Sequence, residues 1–462
     1  MRRNKKEPQR LANNKPELPS DLSKRMEHYN RALNDGYQEG FEYGYKSFER
    51  HFDGTSIIIP CYNELKSVRS CIEAIMSHTD SAYEIIVVDN HSQDGTAHYL
   101  KQLDGVVRYH ILPGHYGFAG AANRGLMMAK GTTLLLLDHH AVVTDKWLDN
   151  MLRCLESDPD GGMVGAVSNG LEGVQHFDMS FKSIESMQKF ASWNNNGDPA
   201  RWGTADKLSL KCLLFKRDLL DKVGFLDEGF REERAAEEDF CIRARLQGYS
   251  LAYAGDAFVH FDAQDKETAE QDVAGTDIPD SIHYTDKWIK PKEVLYRYAG
   301  KTALSRSDSG KPESPQAKLS GVTAYYPQAI AVKGLTDTIF WIENGLRRPV
   351  EGIWDGTVFQ VSQLDLRQWK IGSVLKEAES QLKLNLIQGH SGPGVWHGCV
   401  SSSSNGDMYY LENGTKRAIL SPLAAKAWKL NSRRTVSLTD EELQAIPDGL
   451  PIIAPVRLRQ AL

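Results

Sequence analysis

The chain has 462 residues, which is enough for about three domains of ordinary size. With 41% hydrophobic and 25% charged residues, it has the composition of a globular protein, which excludes a chain disordered throughout, a collagen and a small disulfide scaffold. The formal net charge of −6 argues against a dedicated nucleic-acid binder, which is usually basic. No run approaches the ~18 consecutive apolar residues of a membrane span.

The basic N-terminus is followed by Pro8 and polar residues instead of the apolar core of a signal peptide. The six cysteines fit no zinc-binding spacing, so we expect six reduced thiols. These features predict a cytoplasmic protein, and peripheral attachment to a membrane stays open.

Residues 1–53 form a polar tail and a Gly/Tyr-rich segment. Gly36, Gly40 and Gly44 are spaced by four, so a helix would present them as one smooth stripe. Such a stripe permits close approach of another helix and thus self-association. The alternative is a weak surface helix held by its aromatic residues, because glycine costs about 1 kcal/mol per site in a helix.

Residues 54–290 alternate between short apolar strands and amphipathic helices. This alternation predicts an α/β domain with a mostly parallel sheet and helices on both faces. The predicted strands are 55–60, 83–88, 106–111 and 132–137, and the predicted helices are 64–78, 94–103, 118–130 and 145–156.

Residues 291–330 have the composition of a linker, and residues 331–462 contain an internal repeat. FWIENGLRRPV at 340–350 and YYLENGTKRAI at 409–419 share Glu-Asn-Gly. Asn-Gly between alternating apolar runs predicts a type I′ hairpin. We therefore expect two β-rich units, around 338–390 and 407–455, that pack together and offer a surface for self-association or ligand binding.

Ligands of such sheets bind beyond the carboxyl ends of the strands. Asp89 follows four apolar residues directly and can accept hydrogen bonds from a nucleotide base or ribose. Capping of the next helix is enough to explain the presence of Asp94 and Thr96, but it does not explain Asp89. Asp138, His139 and His140 follow the next apolar strand; they indicate either a divalent-cation site or a polar turn. If that strand continues, the two adjacent histidines cannot both point inward.

A run of acids lies at 237–239 (Glu-Glu-Asp). A carboxylate near a diphosphate can act as a general base toward a hydroxyl group. The alternative is a solvated acidic face at a helix N-terminus.

Seven segments in order resemble glycosyltransferase family 2, of the GT-A fold, and in particular its rhamnosyl and surface-glycan transferases. They span about 200 residues and are SIIIPCYNE (56–64), EIIVVDNHSQDGT (84–96), HYGFAGAANRG (115–125), LLLDHHAVVTDKW (135–147), 162–169, 212–230 and EEDFCIRARLQGY (237–249).

The resemblance implies inverting transfer of a hexose or deoxyhexose from a nucleotide-diphosphate sugar to a glycan, a lipid-linked glycan or a protein. It places nucleotide-sugar contacts at Pro60, Tyr62, Asn63, Glu64, Asp89, Asn90, Ser92, Gly117, Asn123 and Asp138. It implies Mn²⁺ or Mg²⁺ bound by Asp138, His140 and His260, and catalysis by the region of Glu237 and Asp239.

Two positions depart from the family pattern. His140 stands where the family usually has an aspartate, which puts the metal requirement in doubt. Glu237 stands at the position of the catalytic base, and Asp239 is the second candidate. If Asp239 opens the helix and caps it, Glu237 lies in the preceding loop, free to enter the pocket.

Two other functions are compatible with parts of the sequence. The first is a catalytically impaired sugar- or nucleotide-binding protein, which the replacement of the usual aspartate by His140 suggests. The presence of Glu237 and the complete Asp89 loop argues against it. A nucleotidyltransferase needs a glycine-rich basic loop after the first strand, and residues 61–67 offer none.

Overall fold

The computed structural model describes residues 50–230, 232–261, 280–299, 321–387 and 396–459. Its contacts divide the chain into Met1–Phe52 and Asp53–Leu462, and the site lies in the second unit. The predicted glycine stripe at 36–44 lies outside the described residues. All six cysteines are buried and form no disulfide.

The α/β region follows the predicted alternation closely. Its strands are β1 (Phe52–Cys61), β2 (Tyr83–Asp89), β3 (Arg108–Ile111), β4 (Gly131–Leu137), β5 (Ala141–Val142), β6 (Gly161–Val167), β7 (Trp202–Thr204), β8 (Cys212–Lys216), β9 (Ser250–Phe258) and β10 (His260–Phe261). Its helices are α1 (Leu65–His78), α2 (Thr96–Gln102), α3 (Gly117–Met128), α4 (Trp147–Ser157), α5 (Ile184–Asn194), α6 (Arg217–Val223), α7 (Glu233–Leu246), α8 (Asp280–Lys287) and α9 (Pro291–Tyr298).

Eight strands form one sheet in the order β3-β2-β1-β4-β8-β6-β9-β7. Strand β2 runs parallel to β1 and β3, and β9 runs parallel to β6. Strand β8 lies between β4 and β6 and is antiparallel to both. The predicted α/β class with helices on both faces is confirmed, with antiparallel pairing in the second half of the sheet.

Burial on both faces explains why the strands are continuously apolar. In β1, Ile57 packs with α1 and α4 on one face, while Ile58 packs with α3 on the other. The side chains of Ile57 and Ile58 are both inaccessible to solvent. The sheet therefore has no polar face, and polar side chains collect where its strands end.

The C-terminal region carries two further sheets, of order β14-β11-β12-β13-β15 and β16-β17-β18. Their strands are β11 (Ile330–Lys333), β12 (Ile339–Glu343), β13 (Leu346–Pro349), β14 (Val358–Gln360), β15 (Lys370–Ile371), β16 (Cys399–Ser402), β17 (Met408–Glu412) and β18 (Thr415–Ala418). The helices here are α10 (Gln363–Gln368), α11 (Glu377–Ile387), α12 (Pro422–Ala427) and α13 (Asp440–Ala445).

Both Asn-Gly pairs form the predicted hairpin turns. Asn344 and Gly345 join β12 to β13 with φ of 51° and 72°, and Asn413 and Gly414 join β17 to β18 with φ of 49° and 74°. Positive φ at both central residues is the requirement of a type I′ turn. That the two units are one repeat stays a prediction.

The predicted linker at 291–330 needs correction at both ends, and residues 300–320 of it lie outside the described residues. Its first part is helix α9, and a buried turn spans Val322–Tyr325. Both pack in a core that joins Leu246 of α7 to Trp428 of the C-terminal region. The apolar residues of these two stretches indicate buried structure, although residues 291–330 as a whole have the composition of a linker. No helix among the described residues is long and apolar enough to cross a membrane.

Candidate functional site

Asp89 ends β2 at the edge of the sheet, beside Cys61 at the end of β1. Its side chain is inaccessible to solvent. Its Oδ1 accepts a hydrogen bond from the backbone N–H of Ser92, 3.0 Å away. Its Oδ2 is buried and has no hydrogen-bond partner among the described residues. A buried carboxylate oxygen without a donor carries a substantial desolvation cost, which a ligand donor would offset.

Asn63 ties the loop after β1 to the loop after β2. Its backbone N–H donates to Ser92 Oγ over 2.9 Å, and its Oδ1 accepts from the N–H of Gln93 over 2.7 Å. It adopts a left-handed φ of 53°, which asparagine tolerates. Asp94 Oδ2 accepts from the N–H of Leu65 at the start of α1. Asp94 therefore caps a neighbouring helix as well as its own chain segment.

Asn90 connects these loops to the start of α3. Its Oδ1 accepts from the N–H of Tyr116 over 2.8 Å, and its Nδ2 donates to the carbonyl of Gly117 over 3.2 Å. Gly117 has a φ of +74°, which glycine adopts without strain. Tyr62 lies edge-on to His115, with ring centroids 4.5 Å apart. Residues 60–64, 89–94 and 115–117 together form what we call the cradle.

Two predicted contacts lie at the margin of the cradle or away from it. Glu64 is half-exposed and its Oε2 accepts from Ser67 Oγ. Asn123 is fully buried in α3, where it donates to the carbonyl of Leu226 and to Glu228 Oε1, both over 2.9 Å. Asn123 therefore braces the loop before α7, and its polar atoms are occupied there.

Asp138, His139 and His140 follow β4 in a turn, and their potential metal-ligating atoms lie within 4.8 Å of one another. In a continuing strand, the side chains of His139 and His140 would point to opposite faces of the sheet. The strand ends at Leu137, so this does not apply, and the ring centroids of the two histidines are 4.2 Å apart. Asp138 Oδ1 accepts from the N–H of His140 over 2.8 Å and lies 2.9 Å from its Nδ1. Burial opposes ionisation of Asp138, but this hydrogen bond and the two imidazoles hold its pKa well below the usual range.

His139 connects this cluster to the cradle, because its Nδ1 lies 3.0 Å from the carbonyl oxygen of Pro60 and can only donate to it. A neutral imidazole that donates through Nδ1 carries its lone pair on Nε2, the form that binds metals. One carboxylate and two imidazoles suit Mn²⁺ better than Mg²⁺, which prefers oxygen ligands. The residues therefore fit a transition-metal cation.

His260 is not part of that cluster. It lies in β10, which pairs with β5, and its Nδ1 is 3.0 Å from Asn169 Oδ1. The sequence predicts that His260 binds the cation together with Asp138 and His140. The structure groups His139 with them instead.

Helix α7 begins at Glu233, so Glu237 and Asp239 both lie inside it. The prediction that Asp239 opens the helix and Glu237 precedes it is wrong. The apolar face that packs into the core begins with Ala236, three residues before the predicted start of the helix at Asp239, and continues through Phe240 and Ala244.

Asp239 is completely buried and takes part in an ion network. Its Oδ2 accepts from Arg243 Nε over 2.8 Å, and its Oδ1 lies 2.7 Å from Lys287 Nζ and 2.8 Å from Trp288 Nε1. Burial alone would raise its pKa, but the two cations lower it to about 2. Its contacts are those of a structural carboxylate.

Glu237 is almost completely buried. Its Oε2 accepts from the N–H of Leu210 over 3.1 Å, and its Oε1 lies 3.9 Å from Lys207 Nζ. Burial raises its pKa, and these two partners counteract part of the increase. Its carboxylate thus fixes the segment that leads into β8.

Glu233 is the acid that sequence reasoning missed. Its Oε1 is buried and has no hydrogen-bond partner in the described part of the chain. Burial and the negative charge of Asp138 raise its pKa to about 8, while Lys211 opposes this. A carboxyl group with such a pKa is poised for proton transfer near neutral pH. No sequence signal singled it out, because it is one acid in a run of charged residues.

The model of the family described as "Glycosyl transferase family 2" matches residues 56–224, which include β1 to β8, the cradle and the 138–140 cluster. The chain contains a glycosyltransferase family 2 domain. The predicted resemblance and its GT-A fold are thereby confirmed. The match ends before α7, so the acids of α7 lie outside it.

The chain is similar to two further proteins, one of which is a glycosyltransferase. Over 210 residues the chain is 28% identical to glycosyltransferase AglE of Haloferax volcanii, covering 44% of this chain and 64% of AglE. The chain thus spans less than two thirds of that relative. Protein CgeD of Bacillus subtilis is 20% identical over 415 residues, covering 86% of this chain and 80% of CgeD.

Among solved structures, the Pyrobaculum calidifontis mannosyltransferase PcManGT, in complex with GDP-Man and Mn²⁺, is similar with a TM-score of 0.35 and 18% identity. The match covers 61% of this chain and 75% of that one.

Proposed function

We propose that the protein transfers a sugar from a nucleotide-diphosphate donor to a hydroxyl group of a glycan, a lipid-linked glycan or a protein, with inversion at the anomeric carbon. Family membership supports glycosyl transfer. Transfer of a hexose or deoxyhexose is part of the same proposal, and so are a cytoplasmic location at or near a membrane surface and self-association.

The observation that carries the proposal is the buried Oδ2 of Asp89. It lies at the carboxyl end of a parallel strand, where ligands of such sheets bind. The surrounding cradle is held by hydrogen bonds between its own loops, so its shape does not depend on a ligand. The donors that would match Asp89 are the N–H group of a base or a ribose hydroxyl.

We propose that Asp138, His139 and His140 hold a divalent cation. When bound, such a cation stabilises the negative charge of the leaving nucleoside diphosphate. The inference rests on the donor set, one carboxylate and two imidazoles within 4.8 Å. Lys211, whose charge acts on Glu233, is a protein cation at the same end of the sheet.

A binding protein without catalysis is the second candidate. It is favoured by the contacts of Glu237 and Asp239, which are both engaged with other parts of the chain. Glu233 argues for an enzyme, because its buried Oε1 has no hydrogen-bond partner among the residues that the structure describes.

A nucleotide-sugar panel tests the proposed function. UDP-, GDP-, dTDP- and CDP-sugars are added with and without Mn²⁺, and the melting temperature is measured. We expect one nucleotide class to raise it. Calorimetry then compares the nucleotide affinity of the wild type with that of Asp89→Asn, in which an amide replaces the buried carboxylate acceptor. Loss of a hydrogen bond to a buried carboxylate is expected to weaken binding by about 1–3 kcal/mol, or about 5- to 150-fold.

The control is Asp104→Asn, an exposed acid in the turn before β3. It should bind the nucleotide as the wild type does. A wild-type protein that responds to none of the donors, or a folded Asp89→Asn variant with unchanged affinity, would contradict the proposed function.

A further inference from the structure

Aromatic side chains collect at the carboxyl ends of β6 and β9. Phe258, the last residue of β9, is completely buried. Its ring centroid lies 5.2 Å from that of Phe190 and 5.7 Å from that of Phe181. The ring of Phe177 lies 6.1 Å from Phe258 and 5.2 Å from Phe190. The three outer phenylalanines are only half-buried, so part of each residue remains accessible.

Trp193 extends this cluster to the surface. Its ring centroid lies 6.1 Å from that of Phe190, yet 73% of the residue is exposed. The two residues are three apart in α5 and therefore share one flank of the helix, beside the face that buries Met187 and Ala191. An exposed indole ring of this size offers a large apolar surface to a ligand. We call this set the aromatic platform: Phe177, Phe181, Phe190 and Trp193.

The aromatic platform begins next to the 138–140 cluster. Strand β5 starts directly after His140, and its Val142 packs against the buried residues that also support Phe181. Val142 is paired with His260 of β10, whose ring lies edge-on to that of Phe181 with 5.8 Å between the centroids. A single residue of β5 thus separates the proposed cation site from the packing that holds the platform.

The three parts of the site follow one another along the edge of the sheet. The cradle lies at the ends of β2 and β1, the 138–140 cluster follows β4, and the platform lies at the ends of β6 and β9. Strands β4 and β6 end at the same edge, because β8 is antiparallel to both. A donor with its nucleotide in the cradle and its diphosphate at the cluster therefore directs its sugar toward the platform.

We propose that the aromatic platform binds a pyranose ring of the acceptor, so that the acceptor is a glycan, free or lipid-linked, and that Trp193 contributes strongly to its affinity. The inference rests on the proposed function and selects among its acceptor classes. Pyranose rings present faces of C–H groups, which pack on the negative face of an aromatic ring. In an inverting transfer the acceptor oxygen reaches the anomeric carbon from the face opposite to the diphosphate. A diphosphate at the cluster and an acceptor on the platform satisfy that geometry.

A lipid surface fits this region less well than a sugar does. Ile184 and Trp193 are both exposed in α5, but they are nine residues apart and lie on opposite sides of the helix. They therefore cannot enter one flat surface together. Residues 172–193 also lack the positive excess that draws a segment to anionic lipids, since they hold three acids and two lysines.

The experiment compares Trp193→Ala, Trp193→Phe and the control Ile184→Ala with the wild type, using the donor identified in the panel. Methyl glycosides and disaccharides of glucose, galactose, mannose, rhamnose and N-acetylglucosamine serve as acceptors. Release of nucleoside diphosphate gives KM for each acceptor, and saturation-transfer NMR detects saccharide binding directly. Calorimetry gives donor affinity, and melting temperatures verify that each variant is folded.

Trp193→Ala should raise the KM for an accepted saccharide by about tenfold or more, because stacking and burial on the indole ring are lost. Its donor affinity should stay within about threefold of the wild type, since the cradle and the cluster are untouched. Trp193→Phe, which keeps an aromatic ring, should lose less than Trp193→Ala. Ile184→Ala, on the other side of the same helix, should match the wild type.

An unchanged KM in folded Trp193→Ala would overturn the inference and leave the proposed function intact. So would a wild type that releases nucleoside diphosphate to water but neither binds nor glycosylates any of the saccharides. Binding to vesicles of phosphatidylglycerol and phosphatidylcholine that is lost in Trp193→Ala would assign the platform to a lipid surface instead. A wild type that neither binds nor cleaves any donor would overturn both the inference and the proposed function.

Discussion

Asp239 shows, at the scale of single residues, how an acid in a family motif can have a structural role. It pairs with Arg243 and Lys287 in a region without solvent access, and Lys287 also pairs with Asp227 over 2.5 Å. Removing one partner of a buried ion pair leaves an uncompensated charge. The network links α7 to α8 and to the loop at 226–230.

We therefore predict that Asp239→Asn lowers the free energy of unfolding by about 3–5 kcal/mol. Denaturant unfolding measures it, with Glu238→Gln as the control, because an exposed pair contributes about 0–1 kcal/mol. An equal effect of the two variants would contradict the buried network.

The same residue predicts a pH dependence. The folded-state pKa of Asp239 is about 2, below its unfolded value of about 3.9. Its contribution to stability is thus complete above pH 4 and is lost as the pH falls toward 2. The stability difference between the wild type and Asp239→Asn should shrink over that window, and a difference independent of pH would contradict the assignment.

The 138–140 cluster gives a prediction that does not depend on turnover. Mn²⁺ should raise the melting temperature of the wild type by a few degrees at about 100 times its dissociation constant. Asp138→Asn should abolish the shift, since the amide loses the charged ligand. The control His98→Gln changes an exposed histidine of α2 and should keep it. A shift that survives Asp138→Asn would place the cation elsewhere.

Among residues, the sequence predicted best those whose position follows from a strand end. Asp89 and Asp138 stand out because each follows a continuous apolar strand, and both lie at the sheet edge. The roles within α7 could not be predicted, since they depend on Lys287, Trp288 and Leu210, which come from distant segments. His139 was predictable only once the strand was known to end at Leu137.

At the scale of elements, α3 packs on β1 through Gly125. A Cβ at this position would clash with Cγ2 of Ile58, which is fully buried. The helix can approach the sheet closely only because this residue has no side chain. The approach sets the position of Gly117 and the start of the helix at the cradle.

Gly125→Ala should therefore destabilise the protein by about 1–3 kcal/mol, the usual cost of overpacking a core, although alanine favours helices. Thermal or denaturant unfolding measures this. Gly114→Ala is the control, because its Cβ would meet only an ordinary contact with the ring of Tyr116. A neutral or stabilising Gly125→Ala would mean that the helix can move away from β1 freely.

Element order in the α/β half was predictable because hydrophobic periodicity is local. Antiparallel insertion of β8 between β4 and β6 was not, since it is set by pairing across long sequence separations. The Asn-Gly hairpins were predictable from two residues each, because few residues other than glycine and asparagine accept positive φ.

At the scale of the whole molecule, residues 457–459 lie against the loop that leads to α7. The backbone N–H of Arg457 donates to Asp227 Oδ1 over 3.1 Å, and that of Arg459 donates to Glu228 Oε2 over 2.8 Å. Glu228 in turn accepts from Asn123 of α3. Residues 457–459 thus brace the loop that leads into α7, just beyond the residues that the family 2 model matches.

Arg459→Pro removes one of these N–H donors, whereas Arg459→Ala keeps it. We predict that Arg459→Pro raises KM for the donor several-fold and lowers the melting temperature, because buried Glu228 loses a partner. Arg459→Ala should match the wild type in both, since the arginine side chain is exposed. Equal behaviour of the two variants would show that the brace is not made by the backbone.

The central claim is sugar transfer by a site that centres on Asp89. NMR of the wild type with its donor tests it most directly, following ³¹P signals for nucleoside diphosphate and ¹H signals for the anomer formed first, with water as the acceptor. We predict nucleoside diphosphate release, a first-formed sugar of inverted configuration and, at a donor concentration below the dissociation constant, weaker signals of both products in Asp89→Asn. Retained configuration, or release that is unchanged in Asp89→Asn at the same donor concentration, would contradict it.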